Sequence, residues 1–172
     1  MNRKTVPFSY QFEETMRQLG SDGLLLAATK PSGGSNLMTI GWGALGLVWG
    51  LPTFVVLVRP SRFTYEFIEA AGEFTVNVPT PAMSDMVLFC GSQSGRDVDK
   101  IARFGLRVSR GHTVQSVTLD ACPLVYECRV VQKNDILPGS LDAGILARFY
   151  PGGDFHRAYY GEILGTFAAD PE

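Results

Sequence analysis

Histidine is scarce, cysteine is sparse and irregularly placed, and no long apolar run occurs in these 172 residues. The two histidines, His112 and His156, stand far apart, and no motif brings thiolate or carboxylate partners to either, so no metal site is legible. Both read as surface histidines. Three cysteines (Cys90, Cys122 and Cys128) at irregular spacing exclude a disulfide framework and structural zinc, and fit a reducing, cytoplasmic setting. Cys90 reads as a small buried hydrophobe, because no Cys–His or Ser–His–Asp signature accompanies it. No catalytic residue is assigned. The run Leu24-Leu25-Leu26-Ala27-Ala28 falls far short of the roughly 18 residues that span a membrane. A polar, acidic segment precedes it, unlike a secretory leader. The net charge is −2 and no Lys/Arg cluster appears, which argues against a nucleic-acid partner. A small anionic ligand, by contrast, needs only a few local donors.

What is present points to one domain over residues 1–172, mainly β. Hydrophobic residues make up 45% and charged residues 19%, the balance of a chain that buries a core. The 19 glycines and 10 prolines suit many turns. Phe12, Met16 and Leu19 recur with helical period over Ser9–Leu19, and Gly20 supplies the stop. The period then shortens. Leu24–Thr29, Leu37–Trp42, Leu45–Trp49 and Phe54–Val58 read as strands between turns too short for parallel crossovers, hence antiparallel. Ser61 is placed as the cap of a helix from Arg62 to Ala71 that Gly72 ends. Further strands are expected at Phe74–Val78, Gln115–Leu119, Leu124–Val131, Ile145–Phe149 and Tyr159–Phe167. Helices are expected at Met83–Cys90 and, with Asp97 as cap, at Asp97–Phe104. The expected fold is a closed antiparallel β-barrel with flanking helices.

Gly41-Trp42-Gly43-Ala44-Leu45-Gly46 matches the dinucleotide-binding glycine pattern letter for letter. That pattern must open a helix whose N-terminus receives the pyrophosphate. Val48, Trp49, Gly50 and Pro52 favour a strand and a turn instead, so the match is set aside.

Three segments carry donors or flat apolar surface. In Arg59-Pro60-Ser61-Arg62-Phe63-Thr64 a strand hands over to a helix N-terminus, where backbone N–H groups and the dipole favour a phosphate. Arg59 and Arg62 add charge there, and Ser61 and Thr64 add hydroxyls. The alternative is an ordinary N-cap with two solvated arginines. In Ser94-Gly95-Arg96-Asp97-Val98-Asp99-Lys100, glycine permits close approach to a ligand, and Arg96 and Lys100 bring charge; the alternative is a polar loop. In Ser35–Trp42, alternation puts Asn36, Met38 and Ile40 on one face and Leu37, Thr39 and Gly41 on the other. A flat ring could lie along this strand against Met38 or Trp42; the alternative is a core strand.

Together these segments resemble the flavin reductase-like family of FMN-binding split barrels, closest to its flavoredoxin-type branch. The landmarks are Asn36-Leu37-Met38-Thr39 with Trp42, Arg59 to Thr64, Phe74-Thr75-Val76-Asn77-Val78-Pro79, Cys90-Gly91, Ser94-Gly95-Arg96-Asp97 with Lys100, and Gly161-Glu162-Ile163-Leu164-Gly165. The resemblance spans about residues 10 to 168. It implies a homodimer with FMN near the subunit interface. Asn36, Leu37, Met38 and Thr39 would then line the isoalloxazine. Arg59, Ser61, Arg62 and Thr64 would hold the phosphate, and Ser94, Gly95 and Lys100 would close the site. It also implies NAD(P)H as donor of hydride to FMN, in a flavin reductase. The alternatives are an FMN electron carrier served by a partner protein, or a haem or small-molecule binder on the same barrel. Many family members carry a histidine segment before the last strand, which Phe155-His156-Arg157 matches only approximately.

Overall fold

The short apolar run at residues 24–28 is explained by a strand buried on both faces. A computed structural model describes residues 2–169 of the chain. In chain order the elements are β1 (Arg3–Thr5), α1 (Phe12–Gly20), β2 (Leu24–Thr29), β3 (Ser35–Ile40), β4 (Gly43–Val48), β5 (Leu51–Val58), α2 (Phe63–Ala71), β6 (Glu73–Val78), α3 (Ser84–Ser92) and α4 (Lys100–Arg103). There follow β7 (Val108–Arg110), β8 (Val117–Leu119), β9 (Leu124–Asp135), α5 (Ala143–Phe149) and β10 (Arg157–Ala169). One antiparallel sheet runs β3-β2-β6-β9-β10-β5-β4, with β1 added on β10; β7 and β8 pair separately.

The two ends of that path, β3 and β4, are neighbours in the chain, joined through Gly41 and Trp42 alone. Such a link forces the sheet to curl until its free edges lie side by side without pairing. This is a split barrel: the opening between β3 and β4 leaves backbone donors and acceptors of an edge strand unpaired.

Two apolar clusters fill the fold. Inside the barrel Leu24, Leu26, Ile40, Phe54, Val56, Phe74, Val76 and Tyr126 pack together with Phe67 and Ile68 of α2. On the outer face of β2 and β3, Leu25, Ala27 and Leu37 pack against Met86, Val87 and Cys90 of α3. Each fully buried large side chain contributes roughly 1.5–3 kcal/mol of transfer free energy. Strand alternation on β3 therefore sends Leu37 outward to the helices and Ile40 into the barrel. Gly72 adopts φ 67° and closes α2 through its N–H to the Ile68 carbonyl.

Several sequence expectations are corrected. The span 145–149 belongs to helix α5, because Asp142 accepts from the N–H groups of Gly144 and Ile145 and nucleates a turn. A short apolar run has no period strong enough to separate strand from helix. Ser61 does not cap α2: its hydroxyl donates to Asp154, and Arg62 stands at the N-cap position without a side-chain cap bond. The cap at α4 is Asp99, which accepts from Ala102 N, and not Asp97. In α1 the buried face is Thr15, Gln18 and Leu19 with Phe12 exposed, because Thr15 Oγ1 pairs with the Tyr126 hydroxyl at 3.1 Å. The glycine hexad reads as expected, with Gly46 inside β4 and no helix after it.

Candidate functional site

The split gathers two contiguous clefts along β3. The first, about 190 Å³, is lined by residues 38–42 together with Leu57, Arg59, Arg62, Gly91 and His156. The second, about 50 Å³, is lined by Asn36, Met38, residues 61–64, Cys90, Gly91 and residues 93–95, with Lys100. Met38, Arg62 and Gly91 are common to both, so the two form one groove. The predicted residues Asn36, Met38, Ser61, Arg62, Thr64, Ser94, Gly95 and Lys100 meet in the second cleft, although they lie on three separate chain segments. Thr39 and Arg59 face the first. Leu37 is the exception: its side chain is fully buried under α3, and only its backbone bears on the site.

The anchoring contacts follow from local geometry. Asn36 Nδ2 donates to Thr64 Oγ1 at 2.8 Å and ties β3 to the first turn of α2. Gly95 lets the loop pass close to β3, since a Cβ there would lie 2.1 Å from Asn36 Oδ1 and force that side chain or the loop to shift. Lys100 is buried, with Nζ donating to the carbonyls of Leu37 at 3.0 Å and Cys90 at 2.8 Å. Desolvation lowers its pKa, with the Arg62 charge acting in the same direction. Because the Leu37 carbonyl points off the free edge of β3, the period-two alternation puts the backbone groups of Thr39 on that same edge.

The four basic candidates now separate. Arg59 is committed to the segment before β10, donating to the carbonyls of Phe149 at 2.9 Å and Asp154 at 3.0 Å. Arg96 donates to the Ser61 carbonyl and to Glu66 Oε1 at 2.6 Å. Lys100 is held by its two carbonyls. The Arg62 guanidinium, among the described residues, has no carboxylate or carbonyl partner and stands where both clefts meet. No Asp or Glu lines the second cleft. Arg62, the buried Lys100 ammonium, the Ser94 hydroxyl and the uncapped first turn of α2 therefore make a seat for an anion. Ser61 is turned from that seat in part, donating its hydroxyl to Asp154 Oδ2 at 2.6 Å.

His156 was read as a surface residue, and the structure overturns that. It is 9% exposed, packs on Trp42 with ring centroids 4.9 Å apart, and its Nδ1 meets the Tyr150 hydroxyl at 2.8 Å. Burial, and then the nearby Arg59 charge, pull its pKa down to about 4, so the ring is neutral at physiological pH. Trp42 and Tyr150 flank it, Phe149 packs edge-on against Trp42, and Arg59 lies over the Tyr150 ring at 5.1 Å. The aromatic density of Phe149 to Tyr160 was the one sequence signal for this wall. His112 is exposed, against Phe167. Cys90 and Cys122 are buried thiols raised by desolvation to about 11 and about 12, unfit as nucleophiles at neutral pH. No group of His, Cys, Asp or Glu among the described residues is arranged to hold a metal ion.

Comparison with known proteins agrees with this geometry. A relative in Archaeoglobus fulgidus, called only an uncharacterized protein, is 31% identical over 98 residues, covering 57% of this chain and 55% of that one, so the match spans about half of its length. The uncharacterized protein YddH of Escherichia coli K12 is 27% identical over 127 residues, covering 73% of this chain and 67% of its own. Among solved structures, flavoredoxin from Methanosarcina acetivorans superposes with a TM-score of 0.69 at 26% identity, over 86% of this chain and 69% of that one. An FMN-binding domain of a flavin reductases-like enzyme from Shewanella baltica shares the fold, with a TM-score of 0.69 at 21% identity over 97% of this chain and 77% of that one. The flavin reductase like domain matches residues 16–170, nearly the whole span that the barrel and its groove occupy, and the chain belongs to the flavin reductase-like family.

Proposed function

We propose that this chain binds FMN in the groove at the barrel split and acts as an NAD(P)H-dependent flavin oxidoreductase. One observation carries the reading: Arg62, without a carboxylate or carbonyl partner among the described residues, and a buried Lys100 share a carboxylate-free cleft that opens directly onto an aromatic cleft along an edge strand. An anionic tail and a flat ring would fit these two environments respectively. Arg62, Ser94 and the first turn of α2 hold the phosphate. Lys100 supplies buried charge behind it while fixing β3 and α3. Thr39 offers backbone groups to the ring edge, and Met38 and Trp42 offer apolar surface. FMN, when bound, supplies the two-electron chemistry, and the protein contributes orientation, electrostatics and exclusion of water.

Neutral His156 lines the first cleft, held by Tyr150, whose own pKa burial raises. An imidazole that stays uncharged can accept or donate one hydrogen bond without repelling the neighbouring arginines.

The two clefts are smaller than the roughly 300–1,000 Å³ of a pocket that encloses a ligand of this size. A second subunit covering the open side would complete it, which supports a homodimer. Leu47 and Trp49, at and beside the β4–β5 turn, add exposed apolar surface. Three free, buried cysteines fit a reducing compartment such as the cytoplasm, and no described helix is long and apolar enough to cross a membrane.

The test is direct. Purified protein titrated with FMN should show saturable quenching of flavin fluorescence. Anaerobic NADH or NADPH should then bleach the flavin absorbance. The likeness to flavoredoxins favours a second reading, an electron carrier reduced by a protein partner. Bound flavin that no nicotinamide reduces, but a reductase protein does, selects the carrier. A protein that binds no flavin sinks both.

A further inference from the structure

Ser61 lines the second cleft, yet both of its donors are directed at one residue outside that cleft. Asp154 Oδ2 accepts from the Ser61 hydroxyl at 2.6 Å, and Oδ1 accepts from the Ser61 N–H at 3.4 Å. A carboxylate thus holds the turn whose donors suit a phosphate. We propose that Asp154 is an internal counter-anion of the phosphate seat, which the flavin phosphate displaces from Ser61 in order to take that donor. This inference rests on the flavin reading above. It makes Asp154 a residue that sets how tightly a phosphorylated flavin is held.

The exchange follows from a proton count. A serine hydroxyl carries one hydrogen, so it donates to the carboxylate or to a phosphate, never to both. While Asp154 keeps that hydrogen, the oxygen offers a phosphate only lone pairs, and two anions flank one side chain. The phosphate therefore binds best once the carboxylate has turned away. Asp154 has room and a destination for that turn. Its side chain is 37% exposed, and Arg59 Nη1 already lies 4.0 Å from Oδ2. The backbone stays in place, because Arg59 holds the carbonyls of Asp154 at 3.0 Å and of Phe149 at 2.9 Å. Asp154 adopts φ 53°, a left-handed conformation that Asn and Gly also take readily. Both substitutions therefore remove the negative charge without straining the chain.

A double-mutant cycle on the full chain tests the proposal, with equilibrium titrations of FMN and riboflavin on wild type, Asp154→Asn, Ser61→Ala and the double variant. Asp154→Asn should tighten FMN by about three- to tenfold, whereas loss of a merely structural contact would weaken it. Riboflavin, which has no phosphate, should stay within about twofold. In the Ser61→Ala background the same change should tighten FMN by less than about twofold, because the shared hydroxyl is gone. Asp154→Gly, which removes the acceptor altogether, should act in the same direction as Asp154→Asn. FMN bound no more tightly by either Asp154 variant overturns the proposal. So does equal tightening with and without the Ser61 hydroxyl, since Asp154 would then act as a distant charge and not as a rival for that donor. Equal tightening of riboflavin overturns it as well, because the phosphate would play no part. A wild-type protein that binds neither flavin defeats the underlying flavin reading, a distinct result.

Discussion

The Tyr150 hydroxyl lies 2.8 Å from Nδ1 of His156, and this contact fixes the plane of a buried, neutral imidazole against Trp42. Two positive charges, Arg59 and Arg62, bear on the ring from the cleft side, and Asp154 partly offsets them. The ring is thereby kept as a polar, uncharged wall of the groove.

This arrangement makes stability depend on pH with a definite sign. The folded state holds His156 near a pKa of about 4, below its ordinary value of 6.5, so the unfolded chain binds the proton more readily. The contribution is complete above about pH 6.5 and is lost as pH falls toward 4. Denaturation midpoints measured across that window should drop in the wild type and drop less in His156→Gln. An imidazole NMR titration with a midpoint near 6.5 would contradict the assignment.

Arg62→Ala should weaken FMN at least tenfold and riboflavin less than threefold, because charge-assisted bonds to phosphate are the strong ones. Tenfold corresponds to about 1.4 kcal/mol. The thermal midpoint should barely move, since the side chain has no partner among the described residues. Arg59→Ala should behave differently, lowering the midpoint by releasing the carbonyls of Phe149 and Asp154. Equal losses of FMN and riboflavin in Arg62→Ala would remove that arginine from the phosphate site.

Lys100→Met leaves two buried carbonyls without their donor. Urea unfolding should report a loss of about 2–4 kcal/mol, together with weaker FMN binding. A loss below about 0.5 kcal/mol would show that water replaces the ammonium freely.

Gly95→Ala drives a methyl group into the Asn36 amide. The loop 94–96 must retreat, or the Asn36–Thr64 bond must break. Either outcome should lower flavin affinity more than tenfold, with a stability cost of roughly 1–3 kcal/mol. Flavin titration and thermal melting of the variant read both effects.

Much of this site was legible because its pieces are local. A strand ending at Val58, a proline and a helix start mark, through residue types within a few positions of one another, a turn with donors suited to an anion. Asn36, Thr64, Ser94 and Lys100 entered through short segments and the family resemblance those segments carry, and the structure brings them to one cleft. His156 was not, since the aromatic residues near it in the chain do not by themselves tell a buried imidazole from an exposed one. The reversal at 145–149, from expected strand to helix, has the same origin. A five-residue stretch has no decisive period, and the Asp142 cap decided it.

The order of strands, turns and donor-bearing segments is written in the sequence, because periodicity and turn chemistry act between near neighbours. The barrel's opening, the pairing of Ser61 with Asp154 and the lack, among the described residues, of a carboxylate or carbonyl partner for Arg62 arise between residues distant along the chain. Only the curl of the sheet, set by strand pairing and the burial of two apolar clusters, brings those residues together. Sequence chose the chemical groups, and tertiary packing decided which of them remain available to a ligand.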